Sequence, residues 1–208
     1  MSTAGKNLSQ TQQDQFWRDG YLVVDGAVDD GTLSRLRRQM DAWGEESRAH
    51  SEPYGPPTVD GRPRFDLEEN HSAEHPALRR INNPAEISED FRAVMTDAPM
   101  VDMVADLIGP DVKYHHCKIN SKLPGSQMVV RYHQDFCYTP HTNDDVITAL
   151  LLLDDVDAGN GCLMVVPGTH RGAIDSLFQD GVFTGMVAPD LEKDYLARQV
   201  PVEGKAGA

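Results

Sequence analysis

Gly109-Pro110 marks the place where the hydrophobic period of the sequence changes. Upstream, apolar residues recur at helical spacing; downstream they fall into short runs separated by turn formers. Glycine followed by proline stops a helix, since proline has no N–H to extend the ladder and its ring clashes with the preceding turn. Within the first half, residues 9–19 open with Ser9 and carry Gln12 three positions on, a capping box, and run through Phe16 and Trp17 to Gly20, a suitable C-terminal stop. Residues 21–24 are apolar and partly β-branched, which predicts a short strand. A second helix begins at Asp29 or Asp30 and places Leu33, Leu36, Met40 and Trp43 on one face, with Arg35, Arg37 and Arg38 left largely to solvent. Between residues 44 and 84 the period fades and Gly, Pro, His and charge accumulate, the pattern of a long loop that forms a lid or is disordered. Helical spacing returns over 87–108, with a break near 97–99.

After Pro110 the sequence predicts strands over residues 112–120, 128–135, 146–153 and 163–166, separated by turn signals at 124–125, 143–145 and 159–161. Helices followed by strands read as α+β, or as a β-sandwich dressed with helices. No internal repeat or low-complexity tract interrupts this order. With 208 residues the chain buries roughly 70% of the surface it exposes when unfolded, enough for one sizeable core.

Charge narrows the function. There are 33 acidic against 19 basic side chains, a formal charge of −14, spread along the whole chain. A nucleic-acid surface needs clustered cations to displace counterions, and anionic lipid needs the same, so neither partner is expected. The N-terminal residues lack an apolar signal core, and the longest apolar run, 149–153, is far too short to span a bilayer. Cys117, Cys137 and Cys162 form no CxxC pair and read as core thiols of a cytoplasmic protein.

The segment Arg131-Tyr132-His133-Gln134-Asp135 carries the chemistry. On an extended strand alternate side chains share a face, so His133 and Asp135 point the same way, roughly 7 Å apart at Cα, and can reach one metal ion. An imidazole nitrogen and a carboxylate oxygen make two thirds of the 2-His-1-carboxylate face that holds non-heme Fe(II) and leaves positions open for a co-substrate and O2. The same alternation turns Gln127, Val129 and Arg131 inward. A buried guanidinium needs a partner, either a carboxylate of the protein or an anionic substrate or co-substrate. Tyr138 and His141, just beyond the ligands, are substrate-side candidates.

These residues resemble the phytanoyl-CoA dioxygenase family of Fe(II)/2-oxoglutarate-dependent oxygenases. The resemblance is carried by FWRDGYLVV in the opening helix, Ile119-Asn120-Ser121-Lys122 before the ligand strand, HQDxxY at 133–138, and NGCLxVVPGTH at 160–170, and it covers nearly the whole chain. It implies a double-stranded β-helix, a cupin-like jelly roll, as the core of a single domain, with helical support over 1–110 and the β-helix over 111–208. It implies that His133 and Asp135 bind iron and that the NGC turn and the PGTH segment shape the mouth of the site. By alignment with the family, Lys118 falls on one position that supports 2-oxoglutarate and Arg80 close to another. The activity implied is hydroxylation of a small organic substrate with release of succinate and CO2. The carboxylate at Asp135 favours that outcome over halogenation, in which halide takes its place.

The sequence departs from the family pattern in one respect. The second iron histidine and the arginine that grips 2-oxoglutarate follow the PGTH region in the family, and the sequence here reads PVEGKAGA to Ala208. His115, His116 and His170 do not fall in the family's third-ligand slot, and His50, His71 and His75 lie in the expected lid and read as solvated. The chain is therefore expected to be a fragment of a longer product, a homo-oligomer that completes the barrel with a second copy, or an inactive binding relative.

Overall fold

In the computed structural model, residues 7–124 and 130–208 are described. The order of elements is α1 (Gln10–Asp19), α2 (Asp30–Ser47), β1 (Phe65–Leu67), β2 (Leu78–Asn82), α3 (Glu89–Asp97), α4 (Pro99–Ile108), β3 (Lys118–Asn120), β4 (Leu163–Val165), β5 (Phe178–Gln179), β6 (Val182–Phe183), α5 (Pro189–Arg198) and β7 (Val200–Val202). The fold is mixed α and β with small antiparallel sheets: β1-β2-β3, β4-β7 and the β5-β6 hairpin.

The first helix forms as its capping box predicts. The Ser9 hydroxyl accepts from the Gln12 backbone, the Gln12 side chain accepts from the Ser9 backbone, and Gly20 closes the helix at φ +85°. Asp29 caps α2 by accepting from Thr32. The face of α2 read from the sequence is the one that packs: Leu33, Leu36 and Trp43 are buried, and Met40 lies against them. Trp43 stacks on Phe91 of α3 at 5.5 Å between centroids and meets the edge of Phe65 of β1 at 5.7 Å. Leu36 and Ile81 have no exposed surface.

The expected lid is shorter and more structured than its composition suggests. Helix α2 continues to Ser47, and β1 and β2 both lie within residues 44–84. His71, expected to be solvated, shares its Nε2 between the carbonyls of Ser47 (3.1 Å) and His50 (3.0 Å), while its Nδ1 accepts from the Ala77 backbone at 2.8 Å. It clasps the end of α2 to the approach of β2. The Gly and Pro of this stretch hid two strands because each is short and depends on a partner.

Of the strands expected after Pro110, only 118–120 and 163–165 form ladders, and residues 21–24 form none. The described part of the ligand strand, 130–134, and the run 146–151 carry no ladder among the described residues. Alternation specifies which side chains share a face, whereas a ladder also needs a neighbouring strand. Gln127 and Val129 lie outside the described residues. The boundary drawn at residue 110 is crossed by a sheet, since β2 pairs with β3: Arg80 opposite Asn120, Ile81 opposite Ile119, Asn82 opposite Lys118. Ile81 faces the aromatic core, and the polar row Arg80, Asn120, Asn82 and Lys118 lies on the other face.

Candidate metal centre

His133 and Asp135 sit side by side. His133 Nε2 lies 3.2 Å from Asp135 Oδ1, and the intervening Gln134 points away. Gln134 Oε1 accepts the Asp175 backbone N–H at 2.7 Å and its amide donates to the Ala173 carbonyl at 3.4 Å, so residues 173–175 hold the back of the ligand segment. Tyr132, also on that side, packs its ring on Tyr195 of α5 at 5.8 Å and bonds through its hydroxyl to Gln199. The period of two read from the sequence is thus present across 132–135.

Each donor is oriented by a second contact. A carbonyl can only accept, so the 2.7 Å contact between His133 Nδ1 and the Arg131 oxygen places a proton on Nδ1; in the imidazolium Nε2 donates to the Asp135 carboxylate, and once that second proton leaves, Nε2 is a lone-pair donor. Thr148 Oγ1 donates to Asp135 Oδ2 at 2.7 Å, leaving Oδ1 for the imidazole side. The bond to His133 holds the Asp135 carboxyl down to about 2, with Thr148 adding to it against partial desolvation. Reciprocally, the bond to Asp135 raises the His133 imidazole above its ordinary value. Two converging lone-pair donors, each with its outer atom already occupied, make a chelate suited to a divalent first-row metal. Among the described residues no set of three His, Cys, Asp or Glu converges on one ion, so these two are the donors found there.

The other expected site residues divide. Lys118 is exposed on β3, has no ion-pair partner among the described residues, and its charge acts on both His133 and Asp135. Arg80 lies on the same sheet face, its Nε donating to Asn120 Oδ1 at 3.1 Å. Tyr138 presents its ring edge-on to His133 at 5.1 Å and donates its hydroxyl to the Gly185 carbonyl at 2.7 Å. His141 lies against His115, 4.9 Å between centroids. Arg131 departs from the inward placement read from the sequence: its side chain is half exposed and pairs with Glu192 of α5 at 3.1 Å. Of the two partners open to it, the protein carboxylate is the one present, because a long guanidinium on an irregular segment can turn to the nearest helix.

The two motifs downstream are tied to the scaffold. In the NGC turn Asn160 bonds the backbone of Asp155 and Asp157, Gly161 takes φ +88°, and Lys122 bonds the Gly161 carbonyl. In the PGTH segment His170 Nε2 donates to the Trp17 carbonyl at 3.1 Å and the Gly168 N–H bonds Asp19, docking the segment on the end of α1. Thr148, Gln134 and α5 were invisible as site features in the sequence. Each acts at a distance of 13 to 67 residues, and no local spacing announces it.

The sequence profile of the family described as phytanoyl-CoA dioxygenase (PhyH) matches residues 16–208. The chain belongs to the phytanoyl-CoA dioxygenase family. It is 27% identical over 180 residues to the peroxisomal phytanoyl-CoA dioxygenase of Homo sapiens, covering 83% of this chain and 51% of that protein. It is 32% identical over 110 residues to a probable alpha-ketoglutarate-dependent hypophosphite dioxygenase of Stutzerimonas stutzeri, covering 53% of this chain and 38% of the relative. This family member spans about half the length of the curated relatives it matches. Its fold matches that of EctD from S. alaskensis solved with 2-oxoglutarate and 5-hydroxyectoine, with a TM-score of 0.68 at 22% identity over 100% of this chain and 68% of EctD. Among the described residues no helix is long and apolar enough to cross a membrane.

Proposed function

We propose that the protein is an Fe(II)/2-oxoglutarate-dependent dioxygenase that hydroxylates a small organic substrate, with succinate and CO2 as co-products. The observation that carries this reading is the convergence of His133 Nε2 and Asp135 Oδ1, each fixed by a contact to its other polar atom. These two residues would hold the iron as two of its protein donors, and the metal would supply the activation of O2 coupled to oxidation of 2-oxoglutarate. The chain's own share is to hold and orient. Lys118 and Arg80, on one face of the β2–β3 pair, offer cationic ends for the dicarboxylate of 2-oxoglutarate. Tyr138 and His141 form the substrate side, and Tyr138 also covers His133. Arg131, paired with Glu192, borders that side.

The same reading makes the extended segments 130–134 and 146–152 strands of a double-stranded β-helix that includes the β4–β7 ladder, within one domain. Free thiols at Cys117, Cys137 and Cys162 suit a reducing cytoplasm. The relatives named for 2-oxoglutarate and for iron support the cofactor assignment.

A second reading has its own observation: the described residues bring together two metal donors rather than three. On that reading the protein is a binding relative without turnover. Anaerobic titration with Fe(II), followed by succinate release from 2-oxoglutarate in air, separates the two. The dioxygenase reading expects stoichiometric Fe(II) binding, succinate formation, and loss of both in His133→Ala and Asp135→Ala. Iron binding without succinate selects the binding relative, and iron uptake unchanged in both variants defeats the metal assignment.

A further inference from the structure

Three histidines outside the metal pair gather beside it. His115 and His116 meet through their Nδ1 atoms with rings edge-to-face at 4.8 Å, and His141 closes on His115 at 4.9 Å and 78°. The Nε2 atoms of His115, His116 and His141 have no hydrogen-bond partner among the described residues. Of the other histidines, His71 and His170 are spent on backbone carbonyls, His133 on Arg131 and Asp135, and His50 stacks on Tyr54.

The electrostatics around this cluster run against those of the chain. In a protein of charge −14, burial and the neighbouring His115, Lys118 and Arg62 hold the His116 imidazole below its ordinary value, with Asp135 opposing them. Arg62 is itself partnered by Asp60, whereas Lys118 has no ion-pair partner among the described residues. Of two Nδ1 atoms in contact one donates and the other accepts, so the accepting ring of the His115–His116 pair carries its proton outward on Nε2. That N–H beside the Lys118 ammonium forms a place for negative charge, since charge-assisted hydrogen bonds are the strong ones. A metal is the poorer occupant: the neighbouring cations repel it, and no three donors converge there.

We propose that His115, His116 and His141 bind an oxyanion group of the substrate, a carboxylate or a phosphonate, in the field of Lys118, whose ammonium is left to contact 2-oxoglutarate. The subsite adjoins the metal pair, because Asp135 acts on His116 and His141 follows the Tyr138 that edges His133. An anion anchored there leaves the rest of a small substrate lying toward His133 and Asp135. Its meaning as a substrate site rests on the dioxygenase reading; the binding of the anion does not.

The test is titration of the full chain, free of metal, with methylphosphonate and with acetate, followed by the ring resonances of the histidines. The resonances of His115, His116 and His141 are expected to move together and saturate, those of His71 and His170 to stay, and methylammonium to move none. His116→Ala and His141→Ala should each weaken methylphosphonate binding about tenfold, the scale of one lost hydrogen bond to charge. The proposal is overturned if the three resonances stay still, if methylammonium moves them equally, or if both variants bind as the parent does. It is also overturned if 2-oxoglutarate fills the cluster and excludes methylphosphonate, which assigns the histidines to the co-substrate. Failure of Fe(II) titration with a positive anion titration would sink the dioxygenase reading and leave the anion site standing.

Discussion

Thr148 shows how much of the proposed metal site lies outside its two donors. Asp135 has two equivalent oxygens, and the 2.7 Å bond from the Thr148 hydroxyl to Oδ2 decides that Oδ1 is the one turned to His133. Replacing Thr148 with Val keeps the shape and removes the donor, so the carboxylate is free to rotate. Loss of such an outer contact lowers metal affinity by about 10- to 100-fold. Thr148→Val is therefore expected to raise the dissociation constant for Fe(II) by at least about tenfold, and Thr148→Ser to restore it, both measured by anaerobic titration. A Val variant that binds as tightly as the parent removes Thr148 from the site.

Among the elements, α1 and the PGTH segment form a joint. Gly20 closes the helix at φ +85°, and a Cβ built there would run into the ring of His170 at Nδ1. Gly20→Ala adds a left-handed residue, at about 1–2 kcal/mol, to a steric conflict with the ring. Urea unfolding should show at least that loss, and the ring resonance of His170 should shift as its bond to Trp17 opens. An unchanged His170 resonance would argue that the joint does not exist in solution. The joint also measures what the sequence could say. The capping box at Ser9 and Gln12, the buried face of α2 and the pairing of His133 with Asp135 were legible, because each is set by spacing within one element. The partner of His170, the turn of Arg131 toward Glu192 and the strands at 65–67 and 78–82 were not. Those depend on which distant segment arrives alongside, and side-chain alternation is silent on that. For the same reason residues 130–134 kept the predicted sidedness without the predicted ladder.

For the molecule as a whole, the sheet β1-β2-β3 joins the aromatic core to the face proposed for 2-oxoglutarate. Leu36, fully buried in α2, belongs to the core cluster that includes Ile81 of β2. Leu36→Ala is expected to cost about 2–5 kcal/mol, read by chemical denaturation, without changing Fe(II) affinity in the fraction that stays folded. A loss of affinity in that folded fraction would show that core packing sets the geometry of the proposed site. Arg80 and Lys118 stand on strands whose reverse side carries Ile81 and Ile119. One wall is thus shared by an oily room and a wet one. Heat that loosens the first must dismantle the second, and any ligand that grips the second braces the first: at a hundredfold excess over its dissociation constant it adds about 2.7 kcal/mol to the folding free energy. A rise in melting temperature on adding 2-oxoglutarate or methylphosphonate would therefore report occupancy from the far side of the partition, before any product is sought.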